Sequence, residues 1–143
     1  MSNIDAVDTT IVHRDNKYWL FTNVREQDWE HNSILECYVA DSPISQKWKP
    51  HENNPVFFDN GARNGGYLYT KDENHMVYQT YDINVYGKSL QIKRIKTLTE
   101  SQFDTELVKE IDPTVMAGIQ GIHHLSSNDK FTVFDTLQMR SFK

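Results

Sequence analysis

The sequence lacks the features that define several large classes of protein. Its one cysteine, Cys37, can form neither an internal disulfide nor a cysteine-built zinc site. It has no run of about 18 apolar residues, which a membrane-spanning helix would need. The first ten residues carry neither a basic flank nor an apolar stretch, so we expect no secretory signal and a cytoplasmic protein.

Basic residues are also fewer than acidic residues. Fifteen Lys and Arg residues stand against twenty Asp and Glu residues, which gives a net charge of -5. Such a surface repels phosphate backbones and argues against nucleic acid as a partner. Aromatic residues are plentiful, with three Trp, seven Tyr and seven Phe in 143 residues. These rings are large enough to build the core of one ordinary domain.

The signature motifs of common enzyme classes are missing too. The sequence contains no Gly-x-Ser-x-Gly elbow and no His-Glu-x-x-His pair, and its six histidines do not have the spacing of metal ligands. Gly87-Lys88-Ser89 is not a phosphate loop, because Asp82 stands where such a loop requires glycine and a strand follows. We therefore predict that the chain holds no metal and no cofactor.

Three segments share one pattern, in which a strand, a tight polar turn and an aromatic strand follow one another. Their turn aspartates, Asp15, Asp72 and Asp129, are spaced 57 residues apart. Because Asp and Asn tolerate a left-handed backbone, short linkers of Asp, Asn and Lys between β-rich runs predict hairpins. The three predicted hairpins are 8–23, 65–81 and 121–136.

The remaining pattern favours an all-β fold. A helix of one or two turns is predicted only within 99–111, with Thr99 or Asp104 as its N-cap. Four-stranded antiparallel units with this period predict a partial β-propeller of about two and a half blades, and a β-sandwich is the alternative. The further predicted strands are 34–40, 48–58 and 88–95.

The predicted blade units cover about 8–60, 61–117 and 118–143, in a single propeller-like domain or fragment. A propeller closes with at least about four blades, so this number cannot close by itself. Open sheet edges promote association. We therefore expect either further blades in a longer chain or self-association.

The repeat places positions near 8, 65 and 122 at one level at the mouth of the propeller channel, and these neighbourhoods contain Asp8, Arg63 and His123. A carboxylate can act as a base, a guanidinium offers planar donors to anions or hydroxyls, and an imidazole exchanges protons near neutral pH. We predict that these three residues converge on one pocket. The alternatives are structural: Asp8 caps a turn, Arg63 is a surface cation, and one of His123 and His124 faces away. Trp19 is a further candidate that either stacks on a sugar or packs in the core.

Several stretches of the sequence, taken in order, resemble a known family. They are DTTIVHRDNKYWLFTN, ADSPISQKWKPHENNPV, ARNGGYLY, KSLQIKRIKTLTESQF and GIHHLS. Together they cover roughly residues 7–135. They resemble the propeller-like domain at the N-terminus of glucosamine inositolphosphorylceramide transferases, and similar domains stand beside bacterial formyltransferase or glycosyltransferase modules. The resemblance implies a fold like the five-bladed arabinanase, levansucrase and invertase superfamily.

This resemblance also implies that the chain handles carbohydrate. In sugar-cleaving members of that superfamily an Asp at the start of the first blade acts as base or nucleophile, and Asp8 matches its position. The W-x-P-H-x-x-N-P-V run adds His51 and Asn54 to the candidates for binding substrate. The family usually reads Ala-Arg-Pro-Ala-Gly where this chain has Ala-Arg-Asn-Gly-Gly at 62–66.

The leading hypothesis is a carbohydrate-related domain, accessory to or part of a sugar-modifying transferase, that binds a sugar or sugar phosphate. Two other classes stay open. A glycoside hydrolase needs a second carboxylate about 5 to 9.5 Å from Asp8, and Asp82 and Glu36 are the candidates. A protein-interaction propeller without chemistry is the other alternative.

Overall fold

The computed structural model of the chain describes residues 4–25, 33–69, 73–80 and 87–138. Within these residues the chain is all β apart from one short 3₁₀ helix, which confirms the predicted class, and none of the sheets closes on itself. No helix in this part of the chain is long and apolar enough to cross a membrane. The elements are β1 (Ala6–Arg14), β2 (Lys17–Val24), β3 (Ile34–Ala40), β4 (Lys49–Pro50), β5 (Phe57–Phe58), β6 (Asn64–Tyr69), β7 (Asn74–Gln79), β8 (Leu90–Leu98), β9 (Phe103–Ile111), the 3₁₀ helix (Pro113–Val115), β10 (Ile119–Gly121), β11 (Leu125–Ser127), β12 (Thr132–Phe134) and β13 (Leu137–Gln138).

The chain divides into two compact units. The first comprises Met1–Asn64 and Lys96–Asp104, and the second comprises Gly65–Ile95 and Thr105–Lys143. The three blade units that the repeat suggested stay a prediction.

The first unit contains a sheet of strand order β1-β2-β3-β4, with β5 paired to β3. Its first two strands form the predicted hairpin, which turns at Asp15 and Asn16 with φ angles of 52° and 58°. Two successive left-handed residues define the tight turn that matches strand twist, and Asp and Asn adopt it at low cost. Strand β3 occupies the predicted segment 34–40.

The predicted strand at 48–58 forms only at its two ends, β4 and β5. Between them the Asn54 side chain takes the place of a strand partner. Its Oδ1 accepts from the Cys37 amide and its Nδ2 donates to the Cys37 carbonyl, each at 2.9 Å. A side chain that satisfies a backbone in this way removes the need for a continuous strand, and the prolines at 50 and 55 have no N–H to offer.

The core of the first unit lies on β2 and β3. Residues Trp19 to Val24 are buried without alternation, so both faces of β2 are covered. Phe21 packs against Phe103 with ring centroids 5.1 Å apart. Cys37 is fully buried there, and burial raises the pKa of its thiol.

The second unit contains most of a sheet of strand order β12-β11-β6-β7-β8-β9, and a two-stranded sheet of β10 and β13. Strands β6 and β7 correspond to the predicted hairpin at 65–81, and its turn residue Asp72 lies outside the described residues. Strand β11 runs parallel to β6, with Ser127 opposite Leu68. The core cluster consists of Val77, Leu90, Ile92, Ile122 and Leu125.

The third predicted hairpin is present as β11 and β12. The Asn128 amide donates to the Phe131 carbonyl at 2.9 Å and closes the turn. The strands are shorter than predicted. His123 and His124 therefore precede β11 and belong to neither strand.

The helix predicted within 99–111 is wrong, because this segment forms the turn after β8 and then strand β9. Thr99 Oγ1 accepts from the Gln102 amide at 2.9 Å, as a helix N-cap would. Its own amide, however, donates to the Gln102 carbonyl at 2.8 Å, which reverses the chain. The side chain pattern that starts a helix therefore closes a hairpin here.

Candidate functional site

Asp8 occupies a β-bulge in the first unit. The pairing of β1 with β2 slips between Val7 and Thr10, so that Asp8 and Thr9 stand opposite the single residue Thr22. Asp8 adopts a φ of 52°, in the left-handed region that a bulge of this type requires and that Asp tolerates. The Thr22 hydroxyl secures the bulge by donating to the Val7 carbonyl at 3.1 Å. Bulges redirect side chains, and they are common beside functional sites.

The redirected carboxylate meets Arg63. Arg63 Nε donates to Asp8 Oδ2 at 2.5 Å, although the two residues are 55 positions apart in the sequence. The side chains are 16% and 30% exposed, so the ion pair is partly desolvated but still reachable from solvent. A charge-assisted bond of this kind fixes the orientation of both groups.

Two buried asparagines hold the backbone on both sides of Arg63. The side chain of Asn23 donates to the Ala62 carbonyl at 2.9 Å, and its oxygen accepts from the Asn64 amide at 2.7 Å. The Asn64 side chain donates to the Asp8 carbonyl at 2.7 Å and to the Thr10 hydroxyl at 2.8 Å. The bulge and the Arg63 loop are therefore joined by one hydrogen-bond network.

This arrangement can recognise a hydroxylated ligand. A carboxylate accepts hydrogen bonds from hydroxyl groups, and a guanidinium donates to them from a fixed plane. Because Asp8 and Arg63 are already oriented by each other and by Asn64, little side-chain freedom is lost when a ligand binds.

The other predicted binding residues of the first unit lie at different places. Trp19 is 3% exposed, and its indole donates to the Arg14 carbonyl at 3.3 Å, so it packs in the core. The amide of Asn54 is engaged by the Cys37 backbone. His51 is 3% exposed and lines a cleft of ≈ 390 Å³. A binding role for these three residues stays a prediction.

The carboxylates named for the hydrolase alternative are placed as follows. Glu36 accepts a short hydrogen bond from the Tyr38 hydroxyl. Burial of that hydroxyl, together with Glu36, raises the pKa of Tyr38. Asp82 lies outside the described residues.

His123 lies in the second unit, where it contacts Asp135. Its Nδ1 is 2.5 Å from Asp135 Oδ2, and the other carboxylate oxygen accepts the backbone amides of His123 and His124 at 2.9 and 2.7 Å. A carboxylate fixes the tautomer of an imidazole that it contacts. The convergence of His123 with the Asp8–Arg63 pair stays a prediction.

Opposing effects set the pKa of Asp135. Desolvation raises it, but hydrogen bonds from the His123 side chain and from the amides of His123 and His124 outweigh that effect, and the net shift is downward. Asp135 was missed by the sequence reasoning, which took 121–136 as a regular hairpin. No cluster of three His, Cys, Asp or Glu that could hold a metal occurs among the described residues.

Asn23 and Asn64 were also missed as site residues. The available signal was the Thr22-Asn23 pair at the end of the aromatic run of β2, because an amide in a strand with core residues needs partners once it is buried. Which residues would supply those partners could not be read from local sequence.

Comparisons with known proteins add the following. The family profile described as "Glucosamine inositolphosphorylceramide transferase 1, N-terminal" matches residues 2–123. The chain is 34% identical over 102 residues to glucosamine inositolphosphorylceramide transferase 1 of Arabidopsis thaliana, covering 68% of this chain and 13% of that protein. It is 29% identical over 102 residues to the protein of that name from Oryza sativa subsp. japonica, with the same coverage. No solved structure matches the chain significantly.

Proposed function

The chain belongs to the family of N-terminal domains of glucosamine inositolphosphorylceramide transferase 1, and from this premise we propose that it is a carbohydrate-binding domain of a sugar-modifying transferase. The observation that carries the proposal is the Asp8–Arg63 pair. Its two groups are partly exposed and fixed in place by a bulge and a buried amide network.

The proposed ligand presents neighbouring hydroxyl groups. One hydroxyl donates to the Asp8 carboxylate while the next accepts from the Arg63 guanidinium, which matches the alternating donors and acceptors of a sugar or inositol ring. The names of the relatives include an amino sugar and an inositolphosphoryl group. A phosphate on the ligand would add a contact to Arg63.

In this proposal the chain binds and orients the carbohydrate, and the transfer of the sugar takes place in another part of the transferase. The chain spans 13% of the length of the curated relatives it matches, which leaves most of such a protein to supply the chemistry. The proposed role of Asp8 is that of a hydrogen-bond acceptor, since its carboxylate is held by Arg63.

The proposal includes a propeller-like fold. Strands β1 to β4 and strands β6 to β9 each form a run of four sequential neighbours in a sheet, as in a propeller blade. Further blades of a longer protein, or a second copy of this chain, would complete the ring.

Calorimetric titration of the chain with glucosamine, inositol and inositol phosphate tests the proposal. Arg63→Ala removes charge-assisted hydrogen bonds worth about 1.5–3 kcal/mol each, so we expect affinity to fall about ten- to a hundredfold. Asp8→Asn keeps the shape and an acceptor oxygen, and we expect a much smaller loss.

The matched control is Lys47→Ala, which removes one exposed cation from a loop of the first unit. It should bind as the wild type does. Unchanged affinity in Arg63→Ala, or an equal loss of affinity in Lys47→Ala, would contradict the proposal.

A further inference from the structure

The cleft beside His51 is a concave site in the first unit, and neither Asp8 nor Arg63 is among its lining residues. It measures ≈ 390 Å³, which is within the range of about 300–1,000 Å³ found for small-molecule sites. It lies between the loop that joins β4 to β5 and the turn that joins β8 to β9. Its lining residues include His51, Asn53, Ser101, Gln102, Phe103 and Asp104.

The two walls of the cleft are joined by several bonds. The Glu52 amide donates to the Glu100 carbonyl at 2.9 Å, and Asn53 Nδ2 donates to the Ser101 carbonyl at 2.6 Å. Lys49 pairs with the Glu100 carboxylate at 2.5 Å. The cleft is thus formed before any ligand arrives, which lowers the entropic cost of binding.

His51 has one nitrogen without a partner. Its Nδ1 accepts from the Asn53 amide at 3.1 Å, and an accepting ring nitrogen carries no hydrogen. The neutral ring therefore has its hydrogen on Nε2. That atom is buried and has no hydrogen-bond partner within the described residues, and only 3% of the residue is exposed. Buried polar groups are nearly always satisfied, so an orphaned donor on a side chain that lines a cleft indicates a missing acceptor.

The remaining lining residues limit the chemistry of that acceptor. Asp104 places a carboxylate at the cleft, and its Oδ2 pairs with Lys96 at 2.8 Å. A carboxylate beside a neutral imidazole disfavours an anionic ligand. A hydroxyl group suits both, because it accepts from Nε2–H and donates to a carboxylate. Phe103 supplies an apolar surface against which the C–H groups of a sugar ring can pack.

We propose that this cleft is a binding subsite for one neutral monosaccharide unit, with the Nε2–H of His51 as its buried donor and Asp104 as its acceptor. The subsite uses none of the residues of the Asp8–Arg63 pair, so it stands independently of the function proposed for that pair.

The test is NMR of the His51 ring in the whole chain. A long-range proton–nitrogen spectrum reports the tautomer and the surroundings of Nε2 while N-acetylglucosamine, inositol or inorganic phosphate is added. We expect a protonated Nε2 in the free chain and a saturable shift of its resonance with at least one neutral sugar. Absence of any saturable shift with the sugars, or a shift with phosphate alone, would overturn the proposal.

Variants give an independent measurement. His51→Asn retains an acceptor for the Asn53 amide but has no equivalent of Nε2, so it should fold and bind the sugar about tenfold more weakly. Asp104→Asn should also weaken binding, whereas Lys47→Ala should not. Arg63→Ala reports on the other pair, so loss of the His51 shift in Arg63→Ala would contradict an independent subsite. If His51→Asn does not fold, the ring titration of the wild type decides.

Discussion

Arg63 Nε lies 2.5 Å from Asp8 Oδ2, which joins the first strand of the chain to a loop 55 residues later. Neither residue is placed by its own local structure. Asp8 depends on a bulge. Arg63 depends on the Asn23 side chain, which donates to the Ala62 carbonyl before it and accepts from the Asn64 amide after it. The pair is therefore a product of long-range packing, and it should be sensitive to changes that do not touch either charge.

Asn64→Ala is the first such change. It removes the donor to the Asp8 carbonyl and to the Thr10 hydroxyl in a buried place, and we expect the free energy of unfolding to fall by about 2 kcal/mol. Thr10→Val is the control, because it removes one of these bonds and should cost about 1 kcal/mol. Urea unfolding of the three proteins measures both. Equal stability of Asn64→Ala and the wild type would show that the network does not hold the bulge.

Gly66 and Gly118 allow a comparison that separates the cost of a positive φ from the cost of a close contact. Both have positive φ, 122° and 83°, but a Cβ on Gly66 would lie 2.2 Å from the Leu125 carbonyl oxygen, whereas a Cβ on Gly118 meets nothing within 4 Å. Gly66→Ala should lose more than about 3 kcal/mol of stability, and Gly118→Ala about 1–2 kcal/mol. Thermal unfolding compares them. Similar losses in the two variants would show that the close approach to Leu125 does not exist.

The Asp135 carboxylate gives a prediction with a defined pH dependence. Its pKa in the folded chain lies below the ordinary value of 3.8, so its contribution to stability is complete above that value and disappears as pH falls through the folded-state pKa. Asp135→Asn should therefore lower Tm at neutral pH, and the difference from the wild type should shrink once pH drops below 3.8.

His123→Asn serves as its control. It removes the imidazole but leaves the two backbone amides that Asp135 accepts, so part of the pH-dependent difference should remain. A difference between wild type and Asp135→Asn that stays constant or grows at acid pH would contradict the assignment.

The sequence could predict those parts of the fold that depend on neighbours in the chain. Asp15 and Asn16 specify a tight hairpin by their own backbone preference, and the turn appears where it was expected. Thr99 illustrates the limit, because its side chain satisfies the Gln102 amide both in a helix start and in the hairpin that forms. The two outcomes differ in whether the residues after the turn extend and pair with β8, and the side chain of Thr99 does not encode that choice.

The candidate site was predictable only in part, for the same reason. The repeat pointed to Asp8 and Arg63, which the structure brings together. It did not indicate Asn23 or Asn64, whose partners lie up to 56 residues away. Nor did it indicate Asp135, because its role depends on an irregular segment that a repeat pattern does not describe.

The Arg63 Nε–H resonance offers the most direct test of the central claim, that the Asp8–Arg63 pair binds carbohydrate. Its proton–nitrogen signal can be assigned by its disappearance in Arg63→Lys and followed while glucosamine, inositol or inositol phosphate is added. We predict a saturable shift whose dissociation constant agrees with the part of the calorimetric binding that Arg63→Ala removes. If none of the three ligands shifts this resonance, the account is contradicted.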